Sequence, residues 1–156
     1  MTGQVEARLQ EKGIIIPTPG PVAGSYVPTA QSGSLLFVSG QVPLGANGLE
    51  YQGKLGAEIS IEEGQAAARL CALNVLAQVK AALGDLDRVA ACVKIGGFVN
   101  ATPDFHEHPR VINGASDLMA EVFGEAGKHA RFAVGAPSLP FNVAVEVEAI
   151  FEVAAG

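Results

Sequence analysis

Arg131 and Glu146 are the two side chains whose types and positions could bind and convert a small ligand. Arg131 begins the apolar segment 131–135, in which it is the only charged residue. A guanidinium can hold a carboxylate through two parallel hydrogen bonds, a geometry that lysine cannot supply. The alternative is an exposed ion pair with a surface carboxylate, worth about 1 kcal/mol or less. By itself, Arg131 therefore suggests a small carboxylate-bearing ligand without establishing one.

Glu146 belongs to the strongest strand pattern of the sequence, the segment 143–153. Every second residue from Val143 to Val153 is apolar, while Glu146, Glu148 and Glu152 fall on the other face. This alternation predicts a strand with one buried face and one face that carries the three carboxylates. A solvated outer face is the simpler interpretation of those carboxylates, and a catalytic carboxylate is the alternative.

Other groupings of reactive residues fit known sites poorly. The imidazoles in the segment 106–108 are two residues apart and precede Pro109, whereas metal ligands on a helix are three or four apart. We interpret the segment as a solvated loop that caps the next helix, and with His129 as the remaining imidazole we predict no metal site. Ser39 lacks the Gly-x-Ser-x-Gly motif of a hydrolase, and the glycines of 53–56 are too few for a phosphate loop.

The elements that would position these residues follow from caps and periodicity. Ser60 and Glu63 form a capping-box pattern at the start of a helix that Gly84 ends. Pro109 opens a second helix, which ends before Gly124. We predict strands over 35–41, 89–99, 131–135 and 143–153, a short helix over 5–12 and a hairpin or loop over 45–56. Two helices on one face of a mixed sheet explain why the strands alternate, and we predict one α+β domain over 1–156.

Composition excludes several classes of function. The chain has 156 residues, with 10 Lys and Arg against 16 Asp and Glu. Its basic residues are scattered and no aromatic platform accompanies them, which argues against nucleic acid as a partner. Neither an 18-residue apolar run nor a signal-peptide core is present, so we expect a cytoplasmic protein without membrane contact. The low charged fraction of 17% and the positive mean hydropathy favour a homo-oligomer. We expect Cys71 and Cys92 to be reduced and buried.

With these residues, the sequence resembles the RidA/YjgF family of enamine/imine deaminases, which is also called the L-PSP endoribonuclease family. The resemblance spans about residues 21–153. Arg131 and Glu146 keep the family's spacing of fifteen residues. The matching motifs are Arg131-Phe-Ala-Val-Gly135, Leu139-Pro140, Val145-Glu-Val-Glu-Ala-Ile150, Gly24-Ser25-Tyr26, Phe37-Val-Ser-Gly-Gln-Val-Pro43 and the helix asparagine Asn113.

The resemblance implies a chorismate-mutase-like α+β fold, in which two helices cover one face of a mixed sheet. It implies assembly as a homotrimer with ligand clefts between the subunits. Residues 1–20 would then form an amino-terminal extension to the family's domain.

The resemblance also implies a reaction and the residues that perform it. Arg131 would hold the carboxylate of a 2-imino acid or of its enamine tautomer, assisted by the backbone amides of Gly40 and Ala133. Glu146 would orient or deprotonate a water molecule that attacks the imine carbon, which yields a 2-oxo acid and ammonia. No metal or organic cofactor is implied, because a protonated imine is already electrophilic.

Tyr26 and Asn113 are implied to line the same cleft. Ala133 stands where the family commonly has a cysteine and Ser25 where it has a proline, so the sequence does not name the substrate. Three alternatives stay open: a trimer that binds or senses 2-oxo acids without turnover, a deaminase of a larger enamine, and a ribonuclease. The acidic net charge of −6 disfavours the ribonuclease.

Overall fold

A five-stranded mixed sheet carries two long helices on one face in the computed structural model of this protein, which describes residues 3–155. The helices are α1 (Gln4–Lys12), α2 (Ile61–Leu83) and α3 (His108–Phe123). The strands are β1 (Thr29–Ser32), β2 (Leu35–Gln41), β3 (Leu44–Gly45), β4 (Gly48–Leu49), β5 (Val89–Asn100), β6 (Ala130–Ala136) and β7 (Val145–Val153). The predicted α+β architecture is confirmed.

The order of strands in the sheet is β1-β2-β7-β5-β6, and β3 pairs with β4 in a separate hairpin. β7 lies at the centre and runs antiparallel to both β2 and β5, whereas β6 runs parallel to β5 at one edge. β1, at the other edge, was not predicted, because its mostly exposed residues show no apolar alternation.

Local capping determines where the long helices begin and end. The Ser60 side chain accepts from the Glu63 amide at 3.1 Å, and the Glu63 carboxylate accepts from the Ser60 amide at 3.0 Å, so the predicted capping box is present. α3 carries Pro109 in its first turn. The predicted solvated loop is confirmed for His106 and Glu107, which are exposed and precede the helix. The prediction is wrong in two respects: Glu107, the N-cap residue, makes no side-chain capping bond, and His108 is a half-buried residue of the helix.

A close approach between backbones packs the two long helices against each other. A Cβ at Gly114 of α3 would lie 2.1 Å from the carbonyl oxygen of Gln65 on α2, so only glycine permits this helix–helix contact. The apolar face of β7 is buried beneath the two helices, as its alternation predicted. Val5 and Leu9 of α1 belong to the same core.

Among the described residues, one helix, α2, is long and apolar enough to span a membrane, but 61% of its most apolar stretch is buried inside the fold. Cys71 and Cys92 are buried and unbridged, as predicted. Burial raises the pKa of the Cys92 thiol to about 12 and that of Cys71 well above its usual value. Both thiols therefore behave as small core side chains.

Candidate functional site

A cleft of about 470 Å³ opens where β2 and β7 meet α2 and the extended segment that precedes β1. Three of the predicted site residues, Tyr26, Gly40 and Glu146, line it. The register between β2 and β7 shifts between Val38 and Gln41, so β2 carries one extra residue at this point. Such a bulge bends a strand and redirects its groups, and here it lies directly beside the cleft.

Glu146 presents a half-buried carboxylate to this cleft. Burial raises the pKa of Glu146, and the neighbouring Glu148 carboxylate raises it further. No hydrogen bond or ion pair to Glu146 occurs within residues 3–155 to oppose that rise. A partly desolvated carboxylate without a partner has the properties that a general base requires.

Gly40 makes room for the carboxylate. A Cβ at Gly40 would lie 2.2 Å from Oε2 of Glu146, far inside van der Waals contact. Its backbone angles are outside the left-handed region, so the glycine serves close packing and not an unusual turn. The carboxylate of Glu146 therefore lies directly over the backbone of the bulge.

A second group of predicted residues, Arg131, Ala133 and Asn113, lies outside this cleft, on β6 and α3. Arg131 Nη1 donates to Ser116 Oγ at 3.1 Å, and Nη2 donates to the Pro109 carbonyl at 3.1 Å. Asn113 lies on α3 between these two acceptors in sequence, at an exposed position, and its side chain makes no hydrogen bond to Arg131 within residues 3–155. Within the described chain Arg131 forms no ion pair, which disfavours its interpretation as a partner of a surface carboxylate.

His129 extends the contacts of Arg131. Its Nδ1 is 2.7 Å from the Gly127 carbonyl, which can only accept, so Nδ1 carries the proton. In the neutral imidazole, Nε2 accepts from the Ser116 hydroxyl at 2.8 Å, and the Ser116 oxygen accepts from Arg131. This chain of donors orients the guanidinium, and the sequence patterns did not reveal it because Ser116 lies on α3 whereas His129 and Arg131 belong to the segment around the start of β6.

Arg131 and Glu146 lie on opposite faces of the sheet within one chain. Arg131 is paired with Ile95, and Ile95 is paired with Ala149 on the next strand. Paired residues point to the same face of a sheet, and Ile95 and Ala149 are buried beneath the helices, so Arg131 lies on the helix-covered face. Glu146 is in register with Phe98 on the other face. From β6 to β7 there are two strand spacings of about 4.8 Å, and from Ala149 to Glu146 there are three residues of about 3.3 Å each along β7. These two perpendicular displacements place the Cα atoms of Arg131 and Glu146 roughly 14 Å apart. One chain does not bring these two residues into a single site.

The imidazoles around the start of α3 border a second cleft, of about 650 Å³, together with Lys54 and Phe105. Burial lowers the pKa of His108, and the nearby His106 lowers it further. Within residues 3–155, no three His, Cys, Asp or Glu side chains are grouped closely enough to hold a metal ion.

Asn74 and Gln78 also line the Glu146 cleft, and the sequence analysis missed them. Both are buried on α2, with 5% of each exposed. A signal was available: two carboxamides four residues apart interrupt the apolar stripe of a core helix, which is unusual for buried positions.

The fold and its two groups of polar residues define a protein of the chorismate-mutase-like class. The sequence model described as "YjgF/chorismate_mutase-like, putative endoribonuclease" matches residues 6–153. This chain therefore belongs to the YjgF/RidA family, as the motifs around Arg131 and Glu146 predicted. The match includes most of α1, within the segment that we predicted to be an extension.

Relatives resemble the chain over nearly its whole length. Protein TCP17 of Trypanosoma cruzi is 53% identical over 97% of this chain and 95% of its own. A protein of unknown function from Agrobacterium tumefaciens is 49% identical, with 96% and 92% coverage and a TM-score of 0.89. A putative endoribonuclease from Shewanella oneidensis is 40% identical, with 97% and 100% coverage and a TM-score of 0.93.

A more distant solved structure contains a ligand. TdcF of E. coli, with bound serine, is 26% identical over 88% of this chain and 94% of its own, at a TM-score of 0.63.

Proposed function

We propose that this protein hydrolyses reactive 2-imino acids, or their enamine tautomers, to 2-oxo acids and ammonia. The observation that carries the proposal is Glu146, an unpartnered and half-buried carboxylate whose pKa burial has raised, in a cleft with no Lys or Arg among its lining residues. Such a group can accept a proton from water at the moment of attack. Arg131, at the fifteen-residue spacing of the family, supplies the complementary group for a substrate carboxylate.

The proposal requires that Arg131 and Glu146 meet between copies of the chain, because one copy holds them on opposite faces of the sheet. A contact that joins two different patches is heterologous, and such contacts close into rings when the rotation permits. The uncovered face of the sheet supports association, since Phe37 and Val134 are each 42% exposed there. We propose a ring of three copies, the number that the family resemblance implies.

The proposed reaction begins with the iminium form of the substrate. Arg131 of a neighbouring copy holds the substrate carboxylate, and Glu146 accepts a proton as water adds to the C=N carbon. The resulting tetrahedral carbinolamine receives that proton on nitrogen. Its C–N bond then breaks as the remaining hydroxyl becomes the carbonyl, with loss of a second proton to the leaving ammonia. One water is consumed, and one 2-oxo acid and one ammonium ion are formed.

The ligand of a relative supports this choice of substrate class. The TdcF structure contains serine, a small molecule that carries a carboxylate and a nitrogen on the same carbon. A 2-imino acid presents the same two groups in the same relation. The small-carboxylate class of ligand is therefore compatible with a member of this fold.

A coupled assay tests the proposal. An amino-acid oxidase or threonine dehydratase generates the imine in the presence of semicarbazide, and the partition between 2-oxo acid and trapped imine is timed. Wild-type protein is expected to accelerate 2-oxo acid formation, while Arg131→Ala lowers the catalysed rate by about 10²-fold, because a charge-assisted pair is lost. Arg110→Ala removes a cation that pairs locally with Glu107 and is the matched control.

The outcomes separate the deaminase from a binding protein. No acceleration with any imine, together with Arg131-dependent binding of a 2-oxo acid in calorimetry, would replace the enzyme with a trimeric binder or sensor. Acceleration that survives in Arg131→Ala would remove the guanidinium from the mechanism.

RNA cleavage is a second candidate, because the description of the matching family includes the term endoribonuclease. The cleft has no cation among its lining residues and the chain has a net charge of −6, both of which oppose phosphate binding. Incubation with labelled single-stranded RNA is expected to give no cleavage. Cleavage by the wild type that Arg131→Ala abolishes would reverse this ranking.

A further inference from the structure

Two buried carboxamides form the inner wall of the Glu146 cleft. Asn74 and Gln78 are four residues apart on α2 and therefore lie on the same side of the helix. Each is 5% exposed, a burial that carboxamides rarely reach unless their polar atoms are satisfied.

Asn74 uses both of its amide N–H groups, whereas Gln78 uses one of its two. Asn74 Nδ2 donates to the carbonyls of Val42 and Leu44, at 2.9 and 3.1 Å. Gln78 Nε2 donates to the Gly20 carbonyl at 3.4 Å. Because these partners can only accept, they also determine which end of each carboxamide is nitrogen.

The carbonyl oxygens of the two carboxamides are therefore left to face the cleft. Within residues 3–155, Oδ1 of Asn74 and Oε1 of Gln78 have no hydrogen-bond partner. Every fully buried side-chain nitrogen or oxygen in this part of the chain does have a hydrogen-bond partner. The two oxygens must then be reachable from solvent, and the cleft is the open space that both residues line. They are acceptors whose orientation the backbone bonds already hold.

The cleft thus offers oriented acceptors and no cation. Its charged group is the Glu146 carboxylate, the two carboxamide oxygens are neutral acceptors, and the second N–H of Gln78 is a donor. A ligand group that is anionic or purely apolar leaves those oxygens unpaired, whereas an N–H donor satisfies them. The volume of about 470 Å³ also falls in the range of pockets for ligands larger than a three-carbon imino acid.

We infer that Asn74 and Gln78 form a specificity subsite for an uncharged or cationic nitrogen group at the end of the substrate side chain. This inference rests on the proposed deaminase function and gives preference, among its substrates, to 2-imino acids whose side chains carry N–H donors. The two carboxamides bind this group and take no part in the hydrolysis itself.

Two imines of nearly equal length test the subsite, the one made from glutamine and the one made from methionine. Only the first ends in an N–H donor. We expect the wild-type kcat/KM to favour the glutamine-derived imine by about tenfold or more, since its rival leaves buried acceptors unpaired. Gln78→Met, which keeps the chain length and removes the acceptor, is expected to reduce this ratio to about unity.

Gln65→Met is the matched control on the same helix. Gln65 also donates one side-chain bond to a backbone carbonyl, that of Arg110, but it lies outside the cleft. Its variant is expected to keep the wild-type ratio. Calorimetric binding of free glutamine and methionine to the same three proteins gives a second readout that needs no turnover.

The outcomes distinguish the subsite from the reaction. Equal kcat/KM for the two imines in the wild type, or a ratio that Gln78→Met leaves intact, overturns the subsite while the deaminase stands. Absence of turnover with both imines overturns the deaminase. In that case, binding of glutamine over methionine that Gln78→Met abolishes would support the subsite, and equal binding would overturn it.

Discussion

The Glu146 cleft and the Arg131 edge are built by opposite means. In the cleft, close packing over Gly40 holds a carboxylate, and no hydrogen bond within the described chain stabilises its charge. At the edge, hydrogen bonds to Ser116 and to a helix carbonyl hold a cation, and no carboxylate of residues 3–155 pairs with it. Each region keeps one charge available.

This difference shows why neither region is a complete site. A 2-imino acid carries an anionic carboxylate beside a cationic iminium nitrogen. In the proposed reaction the cleft accepts the nitrogen end and the edge binds the carboxylate, and one chain separates these two regions across its sheet. The proposed chemistry therefore makes assembly a condition of activity.

Loss of the Glu146 carboxylate is expected to have the largest effect. Glu146→Gln keeps the size of the side chain but removes the general base, and we expect kcat to fall by about 10²- to 10⁴-fold. The measurement is the coupled assay at saturating imine. Glu152→Gln, on the same face of β7 but exposed, is the control and is expected to retain activity. Equal losses in both variants would contradict a specific role for Glu146.

Mixing two inactive variants tests whether the regions meet between copies. Arg131→Ala retains a working cleft and Glu146→Gln retains a working edge. If the proteins are unfolded together and refolded as a mixture, about a quarter of the interfaces in a random ring combine both intact regions. We expect about a quarter of the wild-type rate to return. A mixture as inactive as its components would place both residues in one chain's site or remove one of them from catalysis.

Gly40→Ala is expected to act through the carboxylate. The added methyl group would collide with Oε2 of Glu146, so the carboxylate must move away from the bulge. Displacement of a reacting group costs rate, and we expect kcat/KM to fall by about tenfold. Thermal unfolding checks that the fold persists, since the backbone angles at Gly40 tolerate alanine. Full activity in a folded variant would show that the position of Glu146 is not critical.

The smallest expected effect is that of Glu146→Gln on stability. This substitution is expected to lower activity but to raise the thermal stability of the fold. The pKa of Glu146 is raised on folding. The protonated Glu146 side chain therefore stabilises the fold fully below the unfolded-state pKa of about 4.3, and this stabilisation is lost as the pH rises through the pKa of the folded state. Glutamine does not ionise, so Glu146→Gln is expected to raise Tm at about pH 7.5 and to match the wild type near pH 4.

Thermal unfolding of the two proteins across this pH range is the measurement. Glu152→Gln again controls for the loss of one negative charge. A Tm of Glu146→Gln that stays below the wild type at neutral pH would show that the ionised carboxylate stabilises the fold.

Much of the fold follows from local sequence. The Ser60–Glu63 box, Pro109 and the alternation of β7 act within a few residues of themselves, so their patterns predict the elements correctly. The family motifs likewise placed the chain in the YjgF/RidA family. Short-range hydrogen bonding and the pleat of a strand are properties of the chain itself.

What only the tertiary structure decided is which of these residues share a space. Strand pairing joins residues far apart in the chain, so no local pattern could reveal that β6 lies at an edge or that Arg131 faces away from Glu146. For Asn74 and Gln78 the spacing of two carboxamides on a core helix was a local signal, but only the packing of α2 against β2 shows that both line the cleft. The sequence by itself determined the elements and the chemistry of their side chains, and packing determined the site that they form.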